Sequence, residues 1–252
     1  MLHLFNSSLA ALLITVSFPV HANEILVSAA ASLNQSFKEI ANNYMQENPG
    51  IKVDLTFGAS DTLQRQIVNG APVDIFASAD AIAMEKANRA GLIQQDTIKN
   101  FVANTIVLIV PVANYLKIKD LDSLLSNQKI KYIAVGNPEI VPAGRYTRSS
   151  LKASGHWNEI KKKMLPAQNV RQVLDYVARN EVDAGFVFSS DASIAMDKVK
   201  VIDTIFSPEP VLYPIAMVQR KGTSKQAKGF YNYVLSEKGM AVLLKYGFKK
   251  PL

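Results

Sequence analysis

The feature that most constrains the fold of this chain is an alternation of apolar, strand-like runs with segments of helical periodicity. The run EILVSAA at 24–30 is apolar enough for a buried strand. Apolar residues then recur at helical spacing from Leu33 to Met45, and the turn NPG at 48–50 ends that helix. The same rhythm returns along the rest of the chain. It is typical of an α/β fold with mostly parallel sheets.

The remaining elements follow from the same patterns. Further strands are predicted at 51–57, 73–79, 104–110, 131–136, 183–190 and 211–218. Further helices are predicted before Gly70, between Asp80 and Gly91, and at 120–126, 143–155, 168–180 and 224–248. Asp80 is predicted to cap a helix start, Gly70 and Gly91 are predicted to cap helix ends, and Pro214 is predicted to mark a sheet edge or a bend.

The first 22 residues differ in character from the rest. The uncharged apolar run Ser8–Phe18 is too short to span a bilayer, and the small-x-small pattern at 20–22 suits signal peptidase. We predict a signal peptide over 1–22, cleaved after Ala22, and a mature periplasmic chain of 23–252. The alternative, a buried N-terminal helix, has neither a cap nor an amphipathic period in its favour.

The chain has no cysteine, so a lipid anchor on cysteine and a disulfide are both excluded. No later run is long and apolar enough to cross a membrane, which predicts a soluble protein without membrane insertion. Lys and Arg number 28 against 21 acids, but 161–163 is the only run of three lysines. No basic helix with interleaved aromatics appears, so we expect no nucleic-acid partner.

Few catalytic groups remain in the predicted mature chain. His156 is its only histidine, and it lies in a glycine turn where a surface histidine is expected. A zinc site of the Cys/His type, a dinucleotide fingerprint and a Walker loop are missing, so we expect no cofactor. Paired carboxylates can still do acid-base chemistry, and they leave a route to an enzyme open.

Helix starts are the chemistry that remains. Their first backbone N–H groups lack partners and the helix dipole is positive there, which suits an anion. Such starts occur at 31–32, 59–60, 142–144 and 169–170. Each alone is ordinary capping. Only the convergence of all four on one cleft would indicate an oxyanion site.

Six segments together resemble the periplasmic molybdate-binding proteins of ABC importers. They are AAASL, FGASDTLQRQI, GAPVDIFASAD, VGNPEIVPAGRY, NVRQVLDYVARNEVDAGFVFSSDA and YGF. The resemblance implies a two-lobed type II binding protein with mixed, mostly parallel sheets joined by a two-strand hinge. It implies lobe I at 23–103 plus 213–252 and lobe II at 104–212.

The function implied by the resemblance is capture, not catalysis. Molybdate, and with it tungstate, is bound by lobe closure and delivered to a membrane permease with a cytoplasmic ATPase. We expect a monomer, and molybdenum present only as the bound oxyanion. Two alternatives stay open: binding of sulfate or another tetrahedral oxyanion, and a secreted enzyme on a two-lobed fold.

The resemblance also implies the site residues. Ser32 and Ser60 map to hydroxyl donors, and Ala143 and Val170 map to backbone N–H donors. The family's fifth contact is a tyrosine hydroxyl, but this chain has Phe188 there, a wall of the pocket without a donor. That departure puts a fifth hydrogen bond in doubt. Water or the next serines, 189 and 190, are candidate replacements.

Neutral donors agree with the chemistry of the ligand. Molybdate at neutral pH is a fully deprotonated dianion, so each of its oxygens accepts, and a buried carboxylate would repel it. Sulfate shares its charge and shape but is smaller, so pocket size must separate the two. Arg145 and Arg171 lie beside contact positions. We expect both to be solvated helix residues, with steering of the anion as the alternative.

Overall fold

The structure is a computed structural model that describes residues 23–220 and 225–251. The strands are β1 Glu24–Ala30, β2 Lys52–Gly58, β3 Ile75–Ala77, β4 Lys99–Asn104, β5 Ile106–Pro111, β6 Ile133–Gly136, β7 Met164–Ala167, β8 Ala184–Phe188, β9 Val199–Ile205 and β10 Val211–Met217. The α-helices are α1 Asn34–Glu47, α2 Ser60–Val68, α3 Ala81–Arg89, α4 Leu121–Ser126, α5 Pro142–Ala153, α6 Trp157–Lys162, α7 Val170–Ala178, α8 Ser189–Ser193, α9 Ala227–Leu235 and α10 Glu237–Lys245. Two 3₁₀ turns lie at Ala31–Leu33 and Gln95–Thr97.

The strands form two five-stranded sheets. Their orders are β2-β1-β3-β10-β4 and β7-β6-β8-β5-β9. We call the unit built on the first sheet, with α1 to α3, α9 and α10, lobe I; the unit built on the second sheet, with α4 to α8, is lobe II. The two-lobed α/β fold is thus as expected, but each sheet has two parallel and two antiparallel pairings. "Mostly parallel" was therefore wrong, because β10 and β5 run against their neighbours on both sides.

The chain passes between the lobes twice. The first crossing joins β4 to β5 through Thr105, and the second joins β9 to β10 over 206–210. The predicted lobe boundaries at 103/104 and 212/213 lie within one or two residues of these crossings. How the lobes move relative to each other stays a prediction.

The core explains why the central strands form where the pattern predicts them. β1 is paired on both sides, with Val27 opposite Leu55 of β2 and Ile75 of β3. Parallel strands covered on both faces read as continuous apolar runs, and β1 is one of these. A main cluster of buried apolar side chains extends through both lobes, and a second cluster lies beneath α2 and α3.

The predicted helix caps are confirmed. The Asp80 side chain accepts a hydrogen bond from the Ala83 N–H at 3.0 Å and begins α3. Gly70 and Gly91 follow α2 and α3 with φ of 90° and 72°. Left-handed backbone of this kind is readily adopted by glycine and closes a helix end. Pro214 marks an irregularity in the register of β10 with β4, which confirms a bend; β10 is not at an edge of its sheet.

Three strands were not predicted: β4, β7 and β9. All three lie at sheet edges. Polar residues interrupt the apolar pattern of β4 and β9, and β7 has only four residues, one of them Pro166. Residues 189 and 190, predicted as strand, instead begin α8. Within the described ranges, no helix is both long and apolar enough to cross a membrane. The predicted signal peptide at 1–22 lies outside the described residues.

Candidate functional site

A small cavity lies where the two lobes meet. It is lined by Ala30, Ala31, Ser32, Gly58, Ala59, Ser60, Ala79, Val141, Pro142, Ala143, Asn169, Val170 and Phe188. All five predicted site residues are therefore brought together. The cavity volume is about 10 Å³, far below the roughly 300–1,000 Å³ of pockets for drug-sized ligands. The cavity therefore excludes a drug-sized ligand.

Four helix starts place the predicted contacts around this cavity. In lobe I, Ser32 lies in the 3₁₀ turn between β1 and α1, and Ser60 is the first residue of α2. In lobe II, Ala143 is the second residue of α5 and Val170 the first residue of α7. Each lobe thus contributes two starts. The convergence that the sequence left open is present.

The backbone at these starts gives the cavity a positive character without a charged side chain. The first N–H groups of a helix have no partner within the helix, and its dipole puts about half a positive charge at that end. α2, α5 and α7 are 9, 12 and 9 residues long. Anions bind readily at such termini. In the described chain, no Asp, Glu, Lys or Arg lines the cavity.

The Ser60 hydroxyl can donate into the cavity. The backbone N–H of Ala79 donates to Ser60 Oγ at 3.0 Å, and an N–H can never accept. The oxygen of Ser60 is therefore already used as an acceptor. Its own proton remains for a ligand. Ser60 is fully buried, so that proton faces the cavity and not bulk water.

Ser32 has a different partner, which the sequence did not reveal. Its Oγ lies 3.0 Å from the hydroxyl of Tyr213 on β10. Tyr213 is fully buried, and burial raises the pKa of its hydroxyl well above the usual value, so the phenol is neutral. No motif marks Tyr213; its only sequence signal is an aromatic hydroxyl inside a strand.

Phe188 is a wall of the cavity, as predicted. It is 1% exposed, and its ring packs edge-on against Tyr146 and Tyr213 at centroid distances of 6.4 and 5.5 Å. The two serines that follow it do not replace the missing hydroxyl. Ser189 donates to Asn104 Oδ1 at 2.9 Å, Ser190 accepts from Asn104 Nδ2 at 2.8 Å, and neither is among the lining residues.

Arg145 joins the two lobes beside the cavity. It lies on α5 of lobe II, and its guanidinium contacts Asp80 and Asp61 of lobe I, both almost fully buried. Lys86 pairs with the other oxygen of Asp61 at 2.6 Å. The expectation that Arg145 is a solvated helix residue is therefore wrong. Its partners are 65 and 84 residues away in sequence, so local pattern could not reveal them.

Arg171, on α7 of lobe II, contacts Asp191 of its own lobe and Ser32 of lobe I. Its Nε lies 2.7 Å from Asp191 Oδ1, and its Nη2 donates to the backbone carbonyl of Ser32 at 3.2 Å. Burial raises the pKa of Asp191 to about 6, although Arg171 acts to lower it. Arg171 is thus also a largely buried, ion-paired residue and not a solvated one.

The structure offers little support for a catalytic site. The part of the chain that is described has no cluster of three or more His, Cys, Asp or Glu residues that could hold a metal ion. His156 lies before α6 and does not line the cavity. The carboxylates of Asp61 and Asp80 both contact Arg145, Asp61 also pairs with Lys86, and neither residue lines the cavity.

Comparison with known proteins agrees with this geometry. The chain is 36% identical to the molybdate-binding protein ModA of Escherichia coli (strain K12), over 92% of this chain and 94% of that one. Two solved structures are similar in fold. The periplasmic molybdate-binding protein of Azotobacter vinelandii has a TM-score of 0.78 and 22% identity, with 90% of this chain and 100% of that chain covered. The sulfate-binding protein SubI of Mycobacterium tuberculosis has a TM-score of 0.77 and 16% identity, with 90% and 87% covered.

At these identities the two structures establish the fold alone, and a fold by itself does not choose the anion. The sequence also matches, over residues 25–249, the family described as bacterial extracellular solute-binding protein. That match covers nearly all of the described residues and includes every lining residue of the cavity. The chain therefore belongs to the bacterial extracellular solute-binding protein family.

Proposed function

We propose that this protein captures molybdate, and with it tungstate, outside the cytoplasm and delivers it to an ABC importer. The observation that carries the proposal is the meeting of four helix starts and two serine hydroxyls, from both lobes, at one uncharged cavity. The 36% identity to the E. coli molybdate-binding protein supports the choice of ligand.

The donors match what a fully deprotonated oxyanion requires. Every oxygen of molybdate accepts, and the proposed contacts all donate: hydroxyls from Ser32 and Ser60, and N–H groups from Ala143 and Val170. Hydrogen bonds to a charged group contribute about 1.5–3 kcal/mol each. Four of them together contribute about 6–12 kcal/mol, and a micromolar complex requires about 8 kcal/mol, so little of this interaction can be lost to ordering and the pre-formed helix starts matter.

Binding in this proposal is a movement, not a reaction, and the protein is not an enzyme. Lobe I and lobe II rotate about the two crossings and enclose the anion. The closed form is recognised by a membrane permease with a cytoplasmic ATPase. The protein is a periplasmic monomer released by cleavage after Ala22.

Calorimetry on purified 23–252 tests the proposal. Molybdate and tungstate should bind at micromolar concentration or below, whereas sulfate and phosphate should compete only at far higher concentration. Sulfate binding as tightly as molybdate would overturn the choice of ligand. Elemental analysis of protein purified from molybdate-supplemented medium provides an independent check.

The site itself is tested by the double variant Ser32→Ala with Ser60→Ala. It should abolish the rise in melting temperature that molybdate causes, because both hydroxyl donors are lost. Ser36→Ala is the matched control, since its buried hydroxyl donates to the Leu33 carbonyl and not to the cavity. A retained thermal shift in the double variant would reject the assignment.

A further inference from the structure

The Ser32 hydroxyl lies at the end of a chain of buried polar groups. Ser32 Oγ is 3.0 Å from the Tyr213 hydroxyl, and Asn104 Nδ2 is 3.2 Å from the same hydroxyl. All three residues are less than 10% exposed. Tyr213 is near the start of β10 and Asn104 ends β4, so this series of hydrogen-bonded side chains connects the cavity to both crossings. In a buried hydrogen-bonded series of this kind, it matters which group donates in each bond, because an unpaired donor or acceptor is costly.

Asn104 fixes which group donates in the first of these hydrogen bonds. Its Oδ1 receives the backbone N–H of Thr105 at 2.9 Å and that of Ser190 at 3.4 Å. Backbone N–H groups only donate, so this atom is the carbonyl oxygen and the atom facing Tyr213 is the NH₂ group. Asn104 is therefore a donor to the Tyr213 oxygen.

The donor in the hydrogen bond between Tyr213 and Ser32 follows from this. The neutral Tyr213 phenol keeps its proton, and its oxygen already accepts from Asn104. The remaining partner of Tyr213 is Ser32 Oγ, and a buried hydroxyl proton left without an acceptor is costly. Tyr213 therefore donates to Ser32. The Ser32 oxygen accepts this bond, and its own proton is left to donate into the cavity.

We infer that Tyr213 is the positioning residue that commits the Ser32 hydroxyl to donate to the bound anion. It does for Ser32 what the Ala79 N–H does for Ser60. With one acceptor lone pair of each serine already used and both hydroxyl protons free to donate, the site favours oxyanions without protons over phosphate, which carries a proton at neutral pH. The inference rests on the proposed function and adds the residue that sets its selectivity.

A double-mutant cycle with Tyr213→Phe and Ser32→Ala tests the inference by calorimetry with molybdate. Tyr213→Phe keeps the ring but removes the proton donor, so affinity should fall about two- to tenfold, the usual worth of one hydrogen bond. In the Ser32→Ala background the same change should cost nothing, because Tyr213 acts through Ser32. Tyr231→Phe is the matched control: its hydroxyl bonds the Thr97 carbonyl, and molybdate affinity should not change.

Selectivity supplies a readout that a purely structural role would leave unmoved. The ratio of molybdate affinity to phosphate affinity should fall in Tyr213→Phe, since the Ser32 oxygen no longer accepts from Tyr213 and can turn to accept a hydrogen bond from the O–H of phosphate. If Tyr213→Phe does not fold, Asn104→Ala interrupts the same chain one step earlier and enters the same cycle.

The possible failures are distinguishable. Wild-type protein that binds neither molybdate nor tungstate overturns the proposed function, and this inference with it. Wild-type protein that binds, with Tyr213→Phe unchanged or equally costly in both backgrounds, overturns the role of Tyr213 alone.

Discussion

Arg145 of lobe II donates from Nε to Asp80 Oδ2 of lobe I at 2.8 Å, across the cleft and next to the cavity. Its Nη2 lies 2.5 Å from both Asp80 Oδ2 and Asp61 Oδ2. Burial lowers the pKa of Arg145, but the two carboxylates outweigh it and the net pKa is raised. Arg145 is 13% exposed, and opening of the lobes would separate it from both partners. The pairing therefore favours the closed arrangement.

Arg145→Met should weaken molybdate binding, mainly through faster dissociation. Truncating one partner of a buried charge pair costs about 2–5 kcal/mol, which is a loss of about 30-fold or more. Part of that loss arises because Asp80 keeps its charge without the guanidinium. Stopped-flow measurement of release and calorimetry together check the size and the kinetic origin of the effect.

Arg148→Met is the matched control, because Arg148 lies one turn further along α5. Its partner Glu139 is 73% exposed, and exposed pairs contribute about 0–1 kcal/mol. Affinity should therefore change little. Equal losses in both arginine variants would mean that general charge, and not the pairing between lobes, governs release.

Gly144→Ala should disrupt the start of α5, which carries the Ala143 N–H. A Cβ at Gly144 would lie 1.8 Å from the carbonyl oxygen of Gly136 and 2.6 Å from its carbonyl carbon. Both are backbone atoms of β6, so α5 would have to move away from the strand. We expect a fall in the melting temperature of the ligand-free protein together with weaker molybdate binding.

Gly58→Ala provides the comparison at the same cavity. The added Cβ would meet only the side chain of Leu63, at 3.3 Å, and a side chain can shift by a few tenths of an ångström. Melting temperature should change much less than in Gly144→Ala. If the two variants melt alike, close approach of α5 to β6 is not what the glycine at 144 permits.

Much of the site follows from local sequence, whereas the contacts that couple its parts do not. The start at Ser60 and the Asp80 cap are visible as polar residues between a strand pattern and a helical one, and the start at Val170 is marked by the preceding Asn169. The resemblance, not periodicity, singled out the ligand-binding positions among them. Arg145 and Tyr213 could not be assigned partners, since theirs lie 65 or more residues away and no local periodicity reports a tertiary contact.

Phe188→Tyr should tighten molybdate binding. The ring lines the cavity, and a hydroxyl there would add a donor to an anion. One hydrogen bond to a charged group contributes about 1.5–3 kcal/mol, so an increase of about tenfold or more is expected if the hydroxyl is accommodated without displacing Tyr146 or Tyr213. Calorimetry decides: unchanged affinity would mean that the site does not miss this hydroxyl.

Asp191 should make stability depend on pH. Burial raises its pKa to about 6, with Arg171 opposing the rise, against an unfolded value of about 3.9. The folded state therefore binds this proton more tightly, so the contribution of Asp191 is complete below about pH 4 and is lost as pH rises through about 6. The total change is about 3 kcal/mol, at about 1.4 kcal/mol per pKa unit.

Denaturant unfolding of wild type and Asp191→Asn from pH 4 to 7.5 measures this change: the stability of wild type relative to the variant should fall over that range. Arg171→Met should shift the fall to higher pH, because the cation that lowers this pKa is gone. A difference between wild type and Asp191→Asn that is flat with pH would show that burial of Asp191 does not move its titration.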